Sequence, residues 1–149
     1  MRAGVEGDAI VSGRCRILLV EDNDLLRASL ERALTFNGYA VTTAARGSDA
    51  RAALDCGAMQ MLITDIMLST PKGGLQLAAW VAQHDPDLPV LLISGGHIAT
   101  LSDIHAPGPE LPHSLAVLAK PFTVAQLLQQ IELLLQQAQM ARPTRLAAD

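Results

Sequence analysis

Short, unbroken aliphatic runs recur along this chain, and each stops abruptly at a polar residue. Arg16-Ile17-Leu18-Leu19-Val20 gives way at once to Glu21-Asp22-Asn23-Asp24. Met59 to Thr64 leads to Asp65, Leu88 to Ile93 leads to Ser94-Gly95-Gly96, and Leu115 to Ala119 leads to Lys120-Pro121. Apolar runs of this length, without polar alternation, are the pattern of strands covered on both faces and so of a parallel sheet. A further β-rich stretch, Tyr39 to Ala44, ends in Ala44-Ala45 and offers no reactive side chain.

Helical patterns separate the runs. Leu25, Leu26, Ser29, Leu30, Ala33 and Leu34 recur at helical spacing and stop at Asn37-Gly38, a C-cap signal. Gly47-Ser48-Asp49 opens a second helix, with Ala50, Ala53 and Leu54 inward and Gly57 closing it. After a loop over Ser69 to Gly74, Leu75 to His84 reads as a third helix, packed on the sheet through Trp80 and closed by Asp85-Pro86-Asp87. Thr123 caps a last helix to about Met140, with Leu127, Leu128, Ile131, Leu134 and Leu135 as its apolar stripe. Between Gly95 and Leu115 a short helix over Ile98 to Ile104 is expected, since Pro107, Pro109 and Pro112 forbid a long one. The alternation predicts an α/β fold, a five-stranded parallel sheet with helices on both faces. One domain over residues 14–140 is expected, between a disordered leader, 1–13, and a flexible tail, 141–149.

Composition narrows the function. Half of the 149 residues are hydrophobic but only 3% are aromatic, so the core must be aliphatic. A net charge of −4 argues against broad, sequence-independent nucleic-acid binding, which needs a dense Lys/Arg surface. Cys15 and Cys56 form no CxxC pair, and His84, His97, His105 and His113 show no ligand spacing, so zinc is not expected. No apolar run reaches the roughly 18 residues of a membrane helix, and no signal peptide precedes the domain, which predicts a cytoplasmic protein.

Parallel sheets build their sites at the carboxyl ends of the strands, where the chain switches direction. Those ends carry Glu21 and Asp22, then Asp65, Ser94 and Lys120. Two carboxylates about 4 Å apart repel by about 4 kcal/mol at an effective dielectric of about 20, so three together need a cation or protons. All-oxygen ligands with open positions suit Mg²⁺, which keeps several of its waters and can bridge to phosphate. Lys120 adds a compact positive charge and Ser94 a hydroxyl donor for the same phosphate, leaving Asp65 as the nucleophile that would form an aspartyl phosphate.

In order, Ile17-Leu18-Leu19-Val20-Glu21-Asp22-Asn23, Gly38-Tyr39 with Val41, Leu62-Ile63-Thr64-Asp65-Ile66-Met67-Leu68, Leu88-Pro89-Val90-Leu91-Leu92-Ile93-Ser94-Gly95 and Leu118-Ala119-Lys120-Pro121-Phe122 resemble the receiver domain of two-component response regulators, over about residues 15–138. The resemblance implies a doubly wound flavodoxin-like sheet of strand order 2-1-3-4-5. It implies Mg²⁺, with Mn²⁺ as a substitute, held by Glu21, Asp22, Asp65 and the Met67 backbone carbonyl. The phosphoryl group would come from a sensor histidine kinase or histidine phosphotransfer protein onto Asp65, with Ser94 and Lys120 as phosphate-binding and switch residues. Phosphoryl acceptance and slow autodephosphorylation would then be self-catalysed, the chain not being an enzyme on a separate substrate. Signalling would pass through altered docking to a downstream protein or a second copy as a homodimer, with no direct nucleic-acid or membrane contact. In this family the peptide bond corresponding to Lys120-Pro121 is usually cis.

The chain departs from the pattern in four places. Val117 stands where the family usually has a switching aromatic, and Ser69 where it often has proline. The span from Ser94 to Lys120 holds 25 intervening residues and three prolines, which predicts a remodelled fourth helix. About ten residues follow the last helix, which points to a stand-alone receiver. Val117 and the irregular region from His97 to Ser114 motivate an alternative, a pseudo-receiver that binds partners without phosphorylation. An aspartate-nucleophile phosphatase would need a second carboxylate two residues after the first, where this chain has Met67.

Overall fold

The computed structural model describes residues 14–70, 72–95 and 111–141. Its elements run β1 (Arg16–Val20), α1 (Asp24–Phe36), β2 (Ala40–Ala44), α2 (Gly47–Asp55), β3 (Met61–Asp65), α3 (Gly73–His84), β4 (Val90–Ser94), β5 (Leu115–Ala119) and α4 (Val124–Ala141). The five strands form one parallel sheet in the order β2-β1-β3-β4-β5. This is the doubly wound order that the family resemblance implies, with the chain reversing its direction of travel between β1 and β3.

Strand periodicity divides the core in two. Alternate residues of a strand point to opposite faces. Leu18, Val20, Leu62, Val90 and Leu92 meet Ala50 of α2 and Leu77, Ala78 and Val81 of α3 on one face. Ile17, Leu19, Met61, Ile63, Leu91 and Ile93 meet Leu30 and Leu34 of α1 and Leu127, Ile131 and Leu134 of α4 on the other. β3 and β4 are buried along their whole length. Each fully buried Leu, Ile or Met contributes about 1.5–3 kcal/mol relative to exposure, so the two layers are aliphatic at their centres, with Trp80 packed on one and Tyr39 and Phe122 on the other as partly buried margins.

Caps set the helix ends. The Asn23 side chain accepts from Leu26 N at 2.9 Å and starts α1, and Gly38, at φ +95°, carries the chain out of it. At α4, Thr123 Oγ1 accepts from Gln126 N at 3.0 Å while Thr123 N donates to Gln126 Oε1 at 2.9 Å. That reciprocal pair is a capping box. Thr123→Ala is expected to lower stability by about 1 kcal/mol, read as a lower denaturant midpoint at unchanged m.

Several boundaries differ from the sequence reading. β3 begins at Met61, not Met59, because Gly57 and Ala58 both take positive φ (+81° and +77°) and turn the chain first. Gln60 then ties this turn to β1, its N donating to Arg16 O at 2.8 Å and its side chain accepting from Arg16 N at 2.9 Å. β4 begins at Val90 because Leu88 N still donates to Asp85 O in the preceding turn, at 3.1 Å. α3 starts at Gly73, two residues into the expected loop, and α4 runs one residue past the expected domain end. Leu25, read as part of the inner stripe of α1, is 84% exposed. The proposed helix over Ile98 to Ile104, the leader and the tail from residue 142 lie outside the described residues.

Candidate phosphoacceptor site

Parallel register brings the strand ends together. Val20 pairs with Thr64, Asp65 with Ile93, and Ser94 with Ala119. The residues that follow are therefore neighbours by construction. Three backbone bonds continue the ladders past the strands, from Glu21 N to Ala44 O (3.0 Å), Ile66 N to Ile93 O (2.9 Å) and Lys120 N to Ser94 O (2.7 Å).

The structure brings Glu21, Asp22 and Asp65 together, one carboxylate oxygen of each lying within 4.8 Å of the others. Lys120 joins them, its Nζ donating to Asp65 Oδ2 at 2.8 Å and standing 3.9 Å from Glu21 Oε1. Asp65 Oδ1 accepts from Met67 N at 3.2 Å. Ser94 is buried at the end of β4, and the Lys120-Pro121 bond is cis. Val117 is half-buried in β5 and packs on the α2–α3 side of the core with Leu111 and Leu115. Met67 is 55% exposed beside Asp65.

Electrostatics is unresolved in the protein alone. Glu21 is 2% exposed; its Oε2 accepts from Asn23 N at 3.0 Å, but its Oε1 is buried with no hydrogen-bond partner. A buried, unsatisfied carboxylate oxygen is costly. Burial, aided by the Asp65 charge and opposed by Asn23 N–H and Lys120, pushes the Glu21 pKa up to about 7. Burial works to lower the Lys120 pKa, but the hydrogen bond and charge of Asp65, with Glu21 and Asp22, outweigh it and raise it. Three carboxylates thus face one lysine, with an oxygen left unsatisfied: a hard cation with oxygen preference fits this donor set.

The pH dependence follows in sign. Glu21 binds its proton more tightly folded than unfolded, so its contribution to stability is full below about pH 4.5 and is lost as pH rises through about 7. A divalent cation requires the ionised carboxylate. The rise in melting temperature caused by Mg²⁺ should therefore be larger at about pH 8 than at about pH 5.5, as thermal unfolding with Mg²⁺ or chelator would show.

Two residues here were not singled out in the sequence. Arg27 reaches back from α1, its Nη1 donating to Glu21 O at 2.9 Å and its Nη2 to Asp24 Oδ1 at 2.7 Å. Gly74 lies so close to the end of β3 that a Cβ there would stand 1.9 Å from Asp65 O and 2.7 Å from Ile66 Cα. In the sequence the Gly73-Gly74 pair falls at the end of the expected loop, with nothing local to mark the close approach. The histidines within the described residues have other neighbours than Glu21, Asp22 and Asp65: His84 stacks on Trp80 at 4.0 Å, and His113 lies 3.4 Å from the Asp87 carboxylate. A cleft of about 310 Å³, lined by Leu54, Met59, Trp80 and Leu88 among others, lies at the opposite end of the sheet.

Comparison with known proteins agrees with this geometry. The family model described as the response regulator receiver domain matches residues 17–132. The chain belongs to that family. Among curated relatives, this receiver is 35% identical over 120 residues to the response regulator receiver protein CpdR of Brucella abortus, covering 80% of this chain and 96% of CpdR. It is 32% identical to the transcriptional regulatory protein TcrA of Mycobacterium tuberculosis, covering 99% of this chain but 57% of TcrA. A crystal structure of a response regulator receiver protein from Sinorhizobium medicae superposes with a TM-score of 0.71 at 34% identity, covering 84% of this receiver and 97% of that chain. No described helix of this receiver is long and apolar enough to cross a membrane.

Proposed function

We propose that this receiver accepts a phosphoryl group on Asp65 from a phosphohistidine and signals by altered protein docking. The observation that carries the reading is the pairing of Asp65 with Lys120 at 2.8 Å beside a buried, unsatisfied oxygen of Glu21. Glu21, Asp22 and Asp65 would hold Mg²⁺, with the Met67 carbonyl as a further oxygen donor and Mn²⁺ as a substitute. When bound, the cation offsets the charge of the carboxylates and of the incoming phosphate.

The chain's own residues do the rest. An Asp65 carboxylate oxygen attacks phosphorus in line, forming the O–P bond as the N–P bond of the phosphohistidine breaks and its electron pair returns to the imidazole. The Met67 N–H fixes the Asp65 rotamer from one side and Lys120 from the other. Lys120 supplies positive charge to the phosphoryl oxygens, and the Ser94 hydroxyl donates to one of them. The donor is a sensor histidine kinase or a histidine phosphotransfer protein, and the chain acts on itself, not on a separate substrate. Downstream, a protein partner or a second copy reads the phosphorylated form.

The test is direct. Incubated with Mg²⁺ and a small acyl phosphate, the protein should gain the mass of one phosphoryl group. No adduct, where a control receiver is labelled in parallel, would count against the reading.

A further inference from the structure

We propose that Arg27 is a positioning residue, bracing the loop between β1 and α1 so that Glu21 and Asp22 are set for a divalent cation; this rests on the phosphoacceptor reading above. The loop is three residues long and carries two of the three clustered carboxylates. Glu21 is fixed at its N–H by Ala44 O and at Oε2 by Asn23 N. Its carbonyl is fixed by Arg27 Nη1 at 2.9 Å. Asp22 is different. Its side chain is exposed, and no hydrogen bond reaches its carboxylate among the described residues. Apart from the attraction of the Lys120 charge, the backbone places it, and the Glu21 carbonyl is the backbone group directly before it.

Arg27 suits this task. Its side chain is only 23% exposed, and its planar fork spans two anchor points, the end of the strand and Asp24 in the first turn of the helix. The arm to Asp24 is a surface ion pair, since Asp24 is 86% exposed, and such pairs contribute about 0–1 kcal/mol. The arm to the Glu21 carbonyl is part-buried and holds the loop that bears the carboxylates. Groups that hold metal ligands in place change affinity about 10- to 100-fold when removed.

Charge and positioning make opposite predictions. A nearby cation repels a bound divalent ion, so Arg27 acting only through charge would weaken binding. Calorimetric titration with Mg²⁺ of wild type, Arg27→Lys and Arg27→Met separates the two. Positioning predicts about tenfold weaker binding in both variants, with the metal-free melting temperature little changed. It also predicts that excess Mg²⁺ restores the phosphorylation rate of Arg27→Lys. Unchanged affinity in Arg27→Lys with tighter binding in Arg27→Met would overturn the proposal. So would a loss of affinity that follows a fall in metal-free stability. Asp24→Ala, which leaves the carbonyl arm, should stay within about twofold of wild type, and an equal loss there would overturn the carbonyl brace. Wild type that takes up no Mg²⁺ would instead overturn the phosphoacceptor reading, and the inference with it.

Discussion

Asp65→Asn is expected to abolish the phosphoryl adduct while leaving the fold intact. Asparagine has the same shape. Its side-chain oxygen can still accept from Met67 N, as Asp65 Oδ1 does at 3.2 Å, and its position at the end of β3 is fixed by the ladder to Ile93. What disappears is the anionic nucleophile, the ion pair with Lys120 Nζ, from which an amide NH2 cannot accept, and one of the three clustered carboxylates. Intact mass after incubation with Mg²⁺ and an acyl phosphate should show one phosphoryl group on wild type and none on the variant. The same substitution should shrink the Mg²⁺-induced rise in melting temperature, since the donor set falls to two carboxylates. An adduct of equal yield on Asp65→Asn would move the acceptor elsewhere, with Glu21 and Asp22 the nearest candidates.

Gly74→Ala is expected to lower stability by about 3 kcal/mol or more, a fall in melting temperature on the order of 10 °C. Alanine favours helix interiors over glycine by about 1 kcal/mol, so propensity alone predicts the opposite sign. The space decides it. The added methyl would meet Asp65 O and Ile66 Cα, both backbone atoms, and no side chain can rotate away. The approach is held by a hydrogen bond from Gly74 N to Ile66 O at 2.8 Å. Relief requires α3 or the loop after Asp65 to shift, so phosphorylation should slow as well. Gly73→Ala is the milder comparison: its Cβ would meet Leu68 Cβ, which is fixed to the backbone, at 3.0 Å and the rotatable Thr70 Oγ1 at 3.2 Å, both well beyond the 1.9 Å contact at Gly74. Its loss should be clearly smaller. Equal effects from the two substitutions, or a loss below about 1 kcal/mol at Gly74, would show that the close approach is not a constraint.

Chemistry and output stand apart in this molecule. The carboxylates, the lysine and the buried hydroxyl come from four strand ends that one parallel sheet aligns. The residue expected to couple Ser94 to the surface is Val117, a β-branched side chain two residues before the end of β5, where no ring can swing. Under the proposed function, a signal from Asp65 has to use something other than aromatic rotation at this position.

Residue type and spacing are enough to read the sheet, its order through the family resemblance, and the placement of Glu21, Asp22, Asp65, Ser94 and Lys120 at strand ends. This is so because these signals are local. An aliphatic run ends, a polar residue follows, and parallel pairing makes all such ends meet. How these residues are held is visible only in the packed fold. Gly74 looked like a loop residue until α3 was laid against Asp65. Nothing in the spacing of α1 distinguishes Arg27 from its other charged residues; the fold turns it back onto the Glu21 carbonyl. Leu25 fitted the helical stripe, yet it faces solvent because the inward arc of α1 is filled by Leu30 and Leu34, with Leu26 at its edge. The unsatisfied Glu21 oxygen, with its pKa near 7, exists only because residues distant in sequence exclude water from it. Spacing along a chain encodes periodicity and turn chemistry; close approach, burial and desolvation arise between segments, and they are fixed only when those segments pack.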